Sequence, residues 1–461
     1  MHLARDADVT DSALPLRIGA AAARAGLPMA AAALSTLAAS TPAPAEPWPP
    51  AVRDELVGLL GAGQGAVGAL EALDHHGLLV RLLPEWAAVR SRPQRNAYHR
   101  FTVDRHLCEA AANAAALTRR VSRPDLLLVG AWLHDIGKGF PGDHTEVGMP
   151  LVERIAARMG FPPRDVGTLV ALVEHHLLLP DVATRRDLDD PATAEAVAKA
   201  VGDVETLHLL AALTEADSLA TGPAAWSEWK AGLLAELVRR TASVLAGTPS
   251  EPAAVRLTDR QQALVDARET SVEVDGTTLT VVAPDRHGVF SRICGALALH
   301  RLDVRRASVT VVDGMAVNVV DTEPAFDRAP DWPVVMGDVR RALAGRLAVE
   351  ARLAQRERAY PVRAVAAAVA PARVLVDEAA SAVSTVIEVR APDAVGVLYR
   401  ITRALADCDL DIRSAKVVTL GHEVVDTFYV VGADGRRIED RTDLREIERA
   451  ILAGMARGSV D

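Results

Sequence analysis

The chain has 461 residues, and its 50% hydrophobic content is enough to form more than one buried core. A disordered or fibrous protein is therefore excluded. The 51 basic and 61 acidic residues give a formal net charge of −10, so the chain lacks the overall basic field that attracts nucleic acid or an anionic membrane. We expect neither of these as a partner.

The cysteines and the early apolar residues favour a cytoplasmic protein. Cys108, Cys294 and Cys408 are isolated, and no Cys-x-x-Cys spacing occurs, which argues against a disulfide scaffold and against a thiolate zinc site. The most apolar early stretch, residues 14–37, is interrupted by two arginines and a proline. It is too broken to span a membrane, and we expect no export signal or anchor.

Two proline-containing connectors, at residues 41–50 and 247–252, divide the chain. Between them the apolar residues recur at spacings of three and four, which predicts helices, and after them β-branched runs predict strands. The predicted divisions are a helical leader and linker region at 1–88, an all-α domain at 89–246, a linker at 247–270, an α+β module with an extended connector at 271–380, and a second α+β module at 381–461.

The last two hundred residues contain an internal repeat. A shift of 108 residues aligns Asp285 with Asp393 and Gly288 with Gly396, and 16 of the 29 positions from Val281 to Val309 are identical between the copies. Each copy is predicted to contain a strand, a turn with a glycine, an amphipathic helix and two further strands. This order is the start of a ferredoxin-like βαββαβ module.

The helical segment contains a cluster of histidines and aspartates. Its sharpest motif is His134-Asp135, at the end of the apolar run 126–133. Neighbouring helical residues point 100° apart, so both side chains cannot simply face the core, and a buried unpaired carboxylate is costly. A bound cation would remove this cost. Imidazole and carboxylate ligands without sulfur favour a divalent metal, for which we expect Mg or Mn, with Fe or Zn as alternatives.

This constellation resembles the HD phosphohydrolase superfamily, in which an early histidine, a His-Asp pair and a distant aspartate bind metal from separate helices. The resemblance implies a metal-dependent phosphohydrolase. It also implies a set of metal ligands and of catalytic residues that contact phosphate. The implied ligands are His106, His134, Asp135, Asp217 and His176, and the implied catalytic residues are Lys138, His144 and His175. His208 has no assigned role, and we expect it to pack.

The resemblance extends over nearly the whole chain. Segments 82–86, 96–106, 143–148, 174–177 and 214–221 resemble the HD domain of the bifunctional PII uridylyltransferase/uridylyl-removing enzymes. The two α+β copies resemble the paired C-terminal ACT domains of the same family. This implies a regulator of nitrogen metabolism that senses glutamine and hydrolyses a nucleotidyl group, UMP or AMP, from a tyrosine of a PII signalling protein.

One feature of that family is missing from the pattern. Its N-terminal nucleotidyltransferase domain carries glycine-rich and Asp-x-Asp signatures. Here Asp6 and Asp8 have the second spacing, but no glycine-rich turn precedes them. We therefore expect either a fragment or a chain that has lost the transferase, and we do not expect uridylyltransferase activity.

In the ACT copies, the predicted ligand-binding residues are Asp285, Gly288, Asp393 and Gly396. A glycine at the turn lets a ligand carboxylate approach backbone N–H groups at a helix N-terminus. The two aspartates have two interpretations, because each could receive an amino acid's ammonium group or cap the following helix.

Two other functions compete with the hydrolase hypothesis. The chain could be a non-enzymatic, glutamine-sensing fragment that binds PII and keeps the HD site as a structural metal anchor. It could also hydrolyse a free guanosine polyphosphate, since such enzymes pair an HD domain with an ACT domain. The contexts of Tyr98-His99 and Glu174-His176 resemble the PII-specific family instead, and a single ACT copy would be typical of the nucleotide hydrolases.

Overall fold

A computed structural model provides the fold and describes residues 1–94, 100–222, 225–247, 257–324, 329–359, 371–378, 380–420 and 423–456. The chain divides into two compact units. The first consists of Met1–Ala183 and Ala194–Ser250, and the second of Thr184–Thr193 and Glu251–Asp461.

The described residues of the first unit form helices and no strand, which confirms the all-α prediction. Two of the helices, α10 and α11, cross the division between the units, because segment 184–193 contains the end of α10 and the start of α11. Short 3₁₀ helices lie at Pro84–Ala88, Thr118–Arg120 and Ile136–Gly139. The α-helices are α1 (Leu14–Ala25), α2 (Ala31–Ser40), α3 (Pro50–Leu60), α4 (Gln64–His75), α5 (Leu78–Leu82), α6 (Val103–Leu117), α7 (Pro124–Leu133), α8 (His144–Arg158), α9 (Pro163–His175), α10 (Leu178–Arg185), α11 (Pro191–Val201), α12 (Val204–Thr221) and α13 (Glu228–Leu245).

Helix α7 ends directly before the His134-Asp135 pair, and it lies within the core. Every residue from Leu126 to Leu133 is buried, as expected for a helix that is apolar on all sides. Gly130 lets α7 approach α9, because a Cβ there would lie 2.7 Å from Leu172 Cδ1. Trp132 stacks on Trp86 with 5.1 Å between ring centroids. The C-terminal end of α7 is therefore held inside the core.

The second unit contains one eight-stranded antiparallel sheet with the order β1-β2-β4-β3-β7-β8-β6-β5. A single apolar core joins the helices of both modules to this sheet. The strands are β1 (Ser271–Asp275), β2 (Thr278–Pro284), β3 (Leu302–Val312), β4 (Met315–Pro324), β5 (Arg373–Asp377), β6 (Thr385–Pro392), β7 (Asp411–Leu420) and β8 (Glu423–Val431), and the helices are α14 (Asp259–Asp266), α15 (Val289–Leu299), α16 (Trp332–Leu343), α17 (Val349–Ala359), α18 (Val397–Asp407) and α19 (Arg441–Ala456).

The α+β prediction is confirmed, but the order of elements in each module differs from βαββαβ. The first module runs β1-β2-α15-β3-β4-α16 and the second β5-β6-α18-β7-β8-α19, which is ββαββα. The edge strand comes from the N-terminal end of each module, where β1 pairs with β2 and β5 with β6. An edge position needs only one antiparallel neighbour, so a hairpin before the module can fill it. Strand β5 lies before the predicted start of the second module at residue 381.

The two modules meet at a local two-fold axis. Strands β3 and β7 pair there, and Ala307 lies opposite Ala415, which is its own counterpart 108 residues later. Both alanines are fully buried. The duplication in the sequence thus becomes a pseudo-symmetric pair of modules in one sheet.

Segment 184–193 contains the last residues of α10 and the first residues of α11, and it belongs to the second unit. The Asp187 backbone N–H donates a hydrogen bond to Tyr429 Oη over 2.8 Å, and the buried Lys416 ammonium lies 3.7 Å from the Asp187 carboxylate. Arg186 pairs with Asp377 on β5 over 2.5 Å. These contacts attach a piece of the helical half of the sequence to the sheet.

Among the described residues, no single helix is long and apolar enough to cross a membrane. Helices α9 and α10 are separated by a bend of 40°, and they reach the length and apolar composition of a membrane span only when they are taken together.

The turn after α7 approaches the first residues of α8 very closely. Gly137 is buried, and a Cβ on it would lie 1.9 Å from the His144 carbonyl oxygen and 2.8 Å from the Gly148 backbone nitrogen. Both neighbours are backbone atoms, so they cannot rotate away as a side chain could. A side chain at position 137 would therefore force α8 away from the end of α7.

We predict that Gly137→Ala destabilises the first unit by about 1–3 kcal/mol, the usual cost of overpacking a core. Gly68→Ala is the matched control, because Gly68 is an exposed residue within α4 with no atom within 4 Å of an added Cβ. That variant should be neutral or slightly stabilising. Urea unfolding followed by tryptophan fluorescence measures both, and equal midpoints for the two variants would contradict the close approach.

Candidate metal centre

The His134-Asp135 pair lies where α7 ends. The helix stops at Leu133, and Asp135 has left the helical conformation, with φ −109° and ψ 15°. Both side chains are buried, with 0% and 2% of their residue surface exposed. The expected conflict between neighbouring helical positions is therefore absent, because the helix ends and both side chains turn into one site.

Four further elements bring ligand side chains to the same place. His106 lies within α6 and Asp217 within α12, and these two helices pack against each other. His144 is the first residue of α8, and His176 caps the C-terminal end of α9. Residues far apart in the sequence thus converge because helix ends, as well as helix faces, point at the end of α7.

One group of ligand atoms surrounds Oδ2 of Asp135. His106 Nε2 lies 3.6 Å and His134 Nε2 lies 3.5 Å from this oxygen. The two imidazole nitrogens are 3.4 Å apart, and Asp217 Oδ1 is 3.0 Å from His106 Nε2 and 3.5 Å from His134 Nε2. Two imidazoles and two carboxylates therefore face one small volume.

A second group surrounds the other oxygen of the same carboxylate. His144 Nε2 and His176 Nε2 lie 3.6 Å and 3.7 Å from Asp135 Oδ1, and they are 3.4 Å from each other. This oxygen is buried and has no hydrogen-bond partner among the described residues. Asp135 is thus shared by two sets of possible metal ligands, His106-His134-Asp135 and Asp135-His144-His176.

Hydrogen bonds to backbone carbonyls fix two of the imidazole rings. His134 Nδ1 lies 2.9 Å from the Ala131 carbonyl oxygen, and His176 Nδ1 lies 2.7 Å from that of Val173. A carbonyl can only accept, so each Nδ1 carries the proton and donates it. Each Nε2 then faces the cluster and can bind a metal ion when it is deprotonated, which is the usual second-shell arrangement of a metal-binding histidine.

The electrostatics of the cluster favour a cation. Burial lowers the pKa of His134, but the carboxylates of Asp135 and Asp217 outweigh it and raise that pKa to about 10. Burial also opposes ionisation of both aspartates, yet His134 and the neighbouring cations hold their pKa values well below the usual range. Two ionised carboxylates in a buried site need positive charge, and the donor set of imidazole and carboxylate fits a divalent ion.

Lys138 and His175 were both predicted to be catalytic, and they occupy different positions. Lys138 Nζ lies 2.5 Å from Asp135 Oδ2 and 3.0 Å from Gln94 Oε1, at the edge of the cluster. The sequence did not single out Gln94, since a lone glutamine in a loop carries no signal. Among the described residues His175 belongs to neither ligand group, and its Nε2 lies 3.9 Å from Glu174 Oε2.

Two other expectations need comment. His208 was expected to pack, but it is exposed on α12 because it faces away from the helix surface that carries Asp217. In the segment 96–106 that supported the family resemblance, residues 96–99 lie outside the described residues.

The two predicted sites for a bound amino acid, one in each ACT copy, are not equivalent. Asp285 and Gly288 line a pocket that Asp411 and Arg413 of the second module also line. At the second position, a Cβ on Gly396 would lie 3.1 Å from Leu353 Cδ1 of α17. The connector helix α17 therefore covers Gly396, next to the predicted ligand residue Asp393.

We predict that replacing Asp135 affects metal binding more than replacing any other ligand, because only Asp135 contributes to both groups. Asp135→Asn should lower Mn²⁺ affinity at least about tenfold in every site that is measured. His144→Ala should lose the second group and keep the one built on His106 and His134. Metal content after Mn²⁺ loading and gel filtration measures this difference, with the exposed His208→Ala as the control. Loss of metal from the His144 variant equal to that from the Asp135 variant would contradict the shared carboxylate.

Comparisons with known proteins agree with this geometry. Three family models match the chain: an HD domain at residues 103–222, an ACT domain at 277–330, and an ACR9-like, ACT-like domain at 373–457. The first match contains His106, His134, Asp135, His144, His176 and Asp217.

The curated relatives of this chain include three proteins named bifunctional uridylyltransferase/uridylyl-removing enzyme. The protein from Streptomyces coelicolor is 46% identical over 477 residues, which cover 92% of this chain and 57% of the relative. The protein from Mycobacterium tuberculosis is 44% identical, with 93% and 55% covered, and that from Gluconobacter oxydans is 32% identical, with 85% and 49% covered. The chain spans about half the length of these relatives. Over the residues that it spans, the chain is similar to the bifunctional uridylyltransferase/uridylyl-removing enzymes and has an HD domain followed by two ACT-type domains.

Proposed function

We propose that this chain is a metal-dependent phosphodiesterase that removes a nucleotidyl group, UMP or AMP, from a tyrosine of a PII nitrogen-regulatory protein. Glutamine regulates the reaction through the ACT domains. The proposal concerns the uridylyl-removing reaction alone, because a buried cluster of imidazoles and carboxylates suits metal-assisted hydrolysis. The name and the matched HD domain of the relatives support it.

The observation that carries the proposal is the completeness of the cluster. All five predicted metal ligands, His106, His134, Asp135, His176 and Asp217, lie within one buried site, and His144 joins them. A site kept only as a structural anchor would not need ligand atoms on both oxygens of one carboxylate. The remaining exposure also fits a hydrolase, because His144, with 27% of its side chain exposed, opens the cluster to solvent.

Divalent ions in this site would supply Lewis acids for the phosphoryl oxygens and a water of lowered pKa. The chain's own residues orient the reaction around them. The Asp135 carboxylate lies between the two ligand groups and fixes their relative position. Lys138, at the edge of the cluster, neutralises part of the charge of this carboxylate. Lys138 is also the cation that can approach a phosphoryl oxygen of the substrate, since 23% of its side chain is exposed. His144 is the imidazole best placed to contact the same group.

A tyrosyl phosphodiester suits this set of residues. Its leaving group is a phenolate, whose conjugate acid has a pKa of about 10, so departure needs less proton donation than that of an alkoxide. The described residues of the cluster offer charge stabilisation through Lys138 and the histidines. The HD site therefore fits an aryl ester better than an alkyl ester.

Regulation by an amino acid requires that the ligand favours one arrangement of the second unit, with a coupling of about 1–3 kcal/mol. The chain offers a covalent route for this coupling. Helix α10 follows His176 directly and leads into segment 184–193, which packs against the ACT sheet through Asp187, Lys416 and Tyr429. We place the reaction in the cytoplasm, in keeping with the three free cysteines.

We predict that the purified chain, loaded with Mn²⁺ or Mg²⁺, releases UMP or AMP from the correspondingly modified PII protein. Asp135→Asn should reduce the rate at least about 1,000-fold, because it disturbs both ligand groups and the position of Lys138. Lys138→Met should reduce the rate and keep the metal. Nucleotide release followed by chromatography measures both, and His208→Ala should match the wild type.

Full activity in Asp135→Asn would contradict the site assignment. Release from neither modified PII protein with any metal, together with retained glutamine binding, would contradict the hydrolase and favour the non-enzymatic sensor. Hydrolysis of a guanosine polyphosphate in preference to modified PII would overturn the choice of substrate while leaving the metal centre in place.

A further inference from the structure

A pocket opens between the two ACT modules on the helix-covered face of the sheet. Residues of both modules line it. One wall is the turn after β2 and the start of α15, and the other consists of α18 and the first residues of β7. The lining residues used below are Asp285, Gly288, Asn318, Asp411 and Arg413.

Asn318 is the unusual member of this lining. It lies on β4 with 0% of its surface exposed, and neither its amide nitrogen nor its amide oxygen has a hydrogen-bond partner among the described residues. Proteins rarely bury a polar side chain with both groups unpaired. Asn318 lines the pocket, so a ligand held there is the candidate partner for both groups.

The other groups of the pocket match the two charges of an α-amino acid. Gly288, at φ +75°, begins α15, and no side chain caps this helix, so its N-terminus can receive a carboxylate. Asp285 and Asp411 bring two carboxylates together from different modules. Burial and the Asp411 charge raise the pKa of Asp285, whereas Arg413 lowers it. An ammonium group between these carboxylates would relieve their repulsion.

With both ends of the amino acid held, its side chain must satisfy Asn318. The Asn318 nitrogen needs an acceptor, and its oxygen needs a donor. A primary amide supplies both from one planar group. A carboxylate offers only acceptors and adds charge, and an aliphatic side chain offers neither, so each leaves part of Asn318 unpaired.

We propose that Asn318 is the residue that reads the side chain of the bound amino acid and that it selects a primary amide. The inference rests on the proposed regulation of this chain by an amino acid at its ACT domains. It adds the position of the site and the residue that gives it specificity.

The internal repeat places a second set of equivalent residues in the other module, and these residues differ from the first set. The counterpart of Asn318 is Asp426, also fully buried and with both carboxylate oxygens unpaired among the described residues. The counterpart of Gly288 is Gly396, which Leu353 covers, whereas Gly288 has only Ser291 Oγ at 3.4 Å and Ala406 Cβ at 3.8 Å from an added Cβ. The duplicated position is closed by the chain itself, so each chain binds one amino acid.

The test is isothermal titration calorimetry of the full chain with L-glutamine, L-asparagine, L-glutamate and L-leucine. We expect one binding event per chain for at least one of the two amides, and binding of L-glutamate and L-leucine at least about tenfold weaker. Equal binding of L-leucine or L-glutamate would overturn the role of Asn318. Two events per chain would overturn the closure by Leu353.

Asn318→Leu separates a role in recognition from a structural role. It replaces an unpaired buried amide with an apolar side chain of similar size, so the free protein should keep or gain thermal stability. The preference for amides should nevertheless fall to less than about twofold. A destabilised variant that retains the preference would overturn the proposal. If Asn318→Leu does not fold, Asn318→Asp provides the second test, because it removes the amide donor and should weaken binding of the amides at least about tenfold.

Asp426→Asn is the matched control. It makes the same exchange between amide and carboxylate in the closed copy, and the affinity and the stoichiometry should not change. These measurements use free amino acids and no modified PII, so they are independent of the hydrolase test. Amide binding without any effect on nucleotide release would leave this inference standing and remove the proposed regulation. Absence of binding of every amino acid would overturn the inference and leave the hydrolase test unaffected.

Discussion

The helical half of the molecule depends on one buried carboxylate. Asp135 lies at the end of α7, the helix most completely enclosed by the core, and its two oxygens face two different groups of histidines. A buried carboxylate must be compensated by hydrogen bonds and positive charge. This single requirement explains why ends of α8 and α9, and faces of α6 and α12, converge on the same point. It also explains why Gly137 has no side chain, since the turn beyond Asp135 must pass close to α8.

In the second half, the two duplicated modules are related by a local two-fold axis, but the residues at their two potential ligand positions differ. The two modules share one sheet about the Ala307-Ala415 pair, and residues of both copies line the pocket at Asp285 and Gly288. The positions have since become different. The first retains an open pocket with a neutral amide at its base. The second has a carboxyl group, Asp426, whose pKa burial and Asp393 raise to about 8, and a leucine from the connector above its glycine. We therefore propose that one of the two positions is open to an amino acid and that the other is closed.

The fold class and the metal ligands can be predicted from the sequence, whereas the edge strands and the role of Asn318 cannot, for physical reasons. The His134-Asp135 motif, the repeat of 108 residues and the helical period are local patterns, so they predict the metal ligands and the fold class. The edge strands β1 and β5 were not expected at the start of each module, because pairing between strands is a tertiary choice that short β-branched runs do not specify. Asn318 was missed because an asparagine within a strand has no motif. Its meaning appears only when burial and the absence of a partner are both known. Leu353 looks like any core leucine until the position of α17 is known.

The most direct test of the central claim is anomalous X-ray diffraction at the manganese absorption edge from crystals of this chain grown with Mn²⁺. If the Asp135 carboxylate organises the site, the anomalous map will show two peaks, one on the side of His106 and His134 and one on the side of His144 and His176. A single peak that does not contact Asp135, or no peak near this carboxylate at saturating Mn²⁺, would contradict the account.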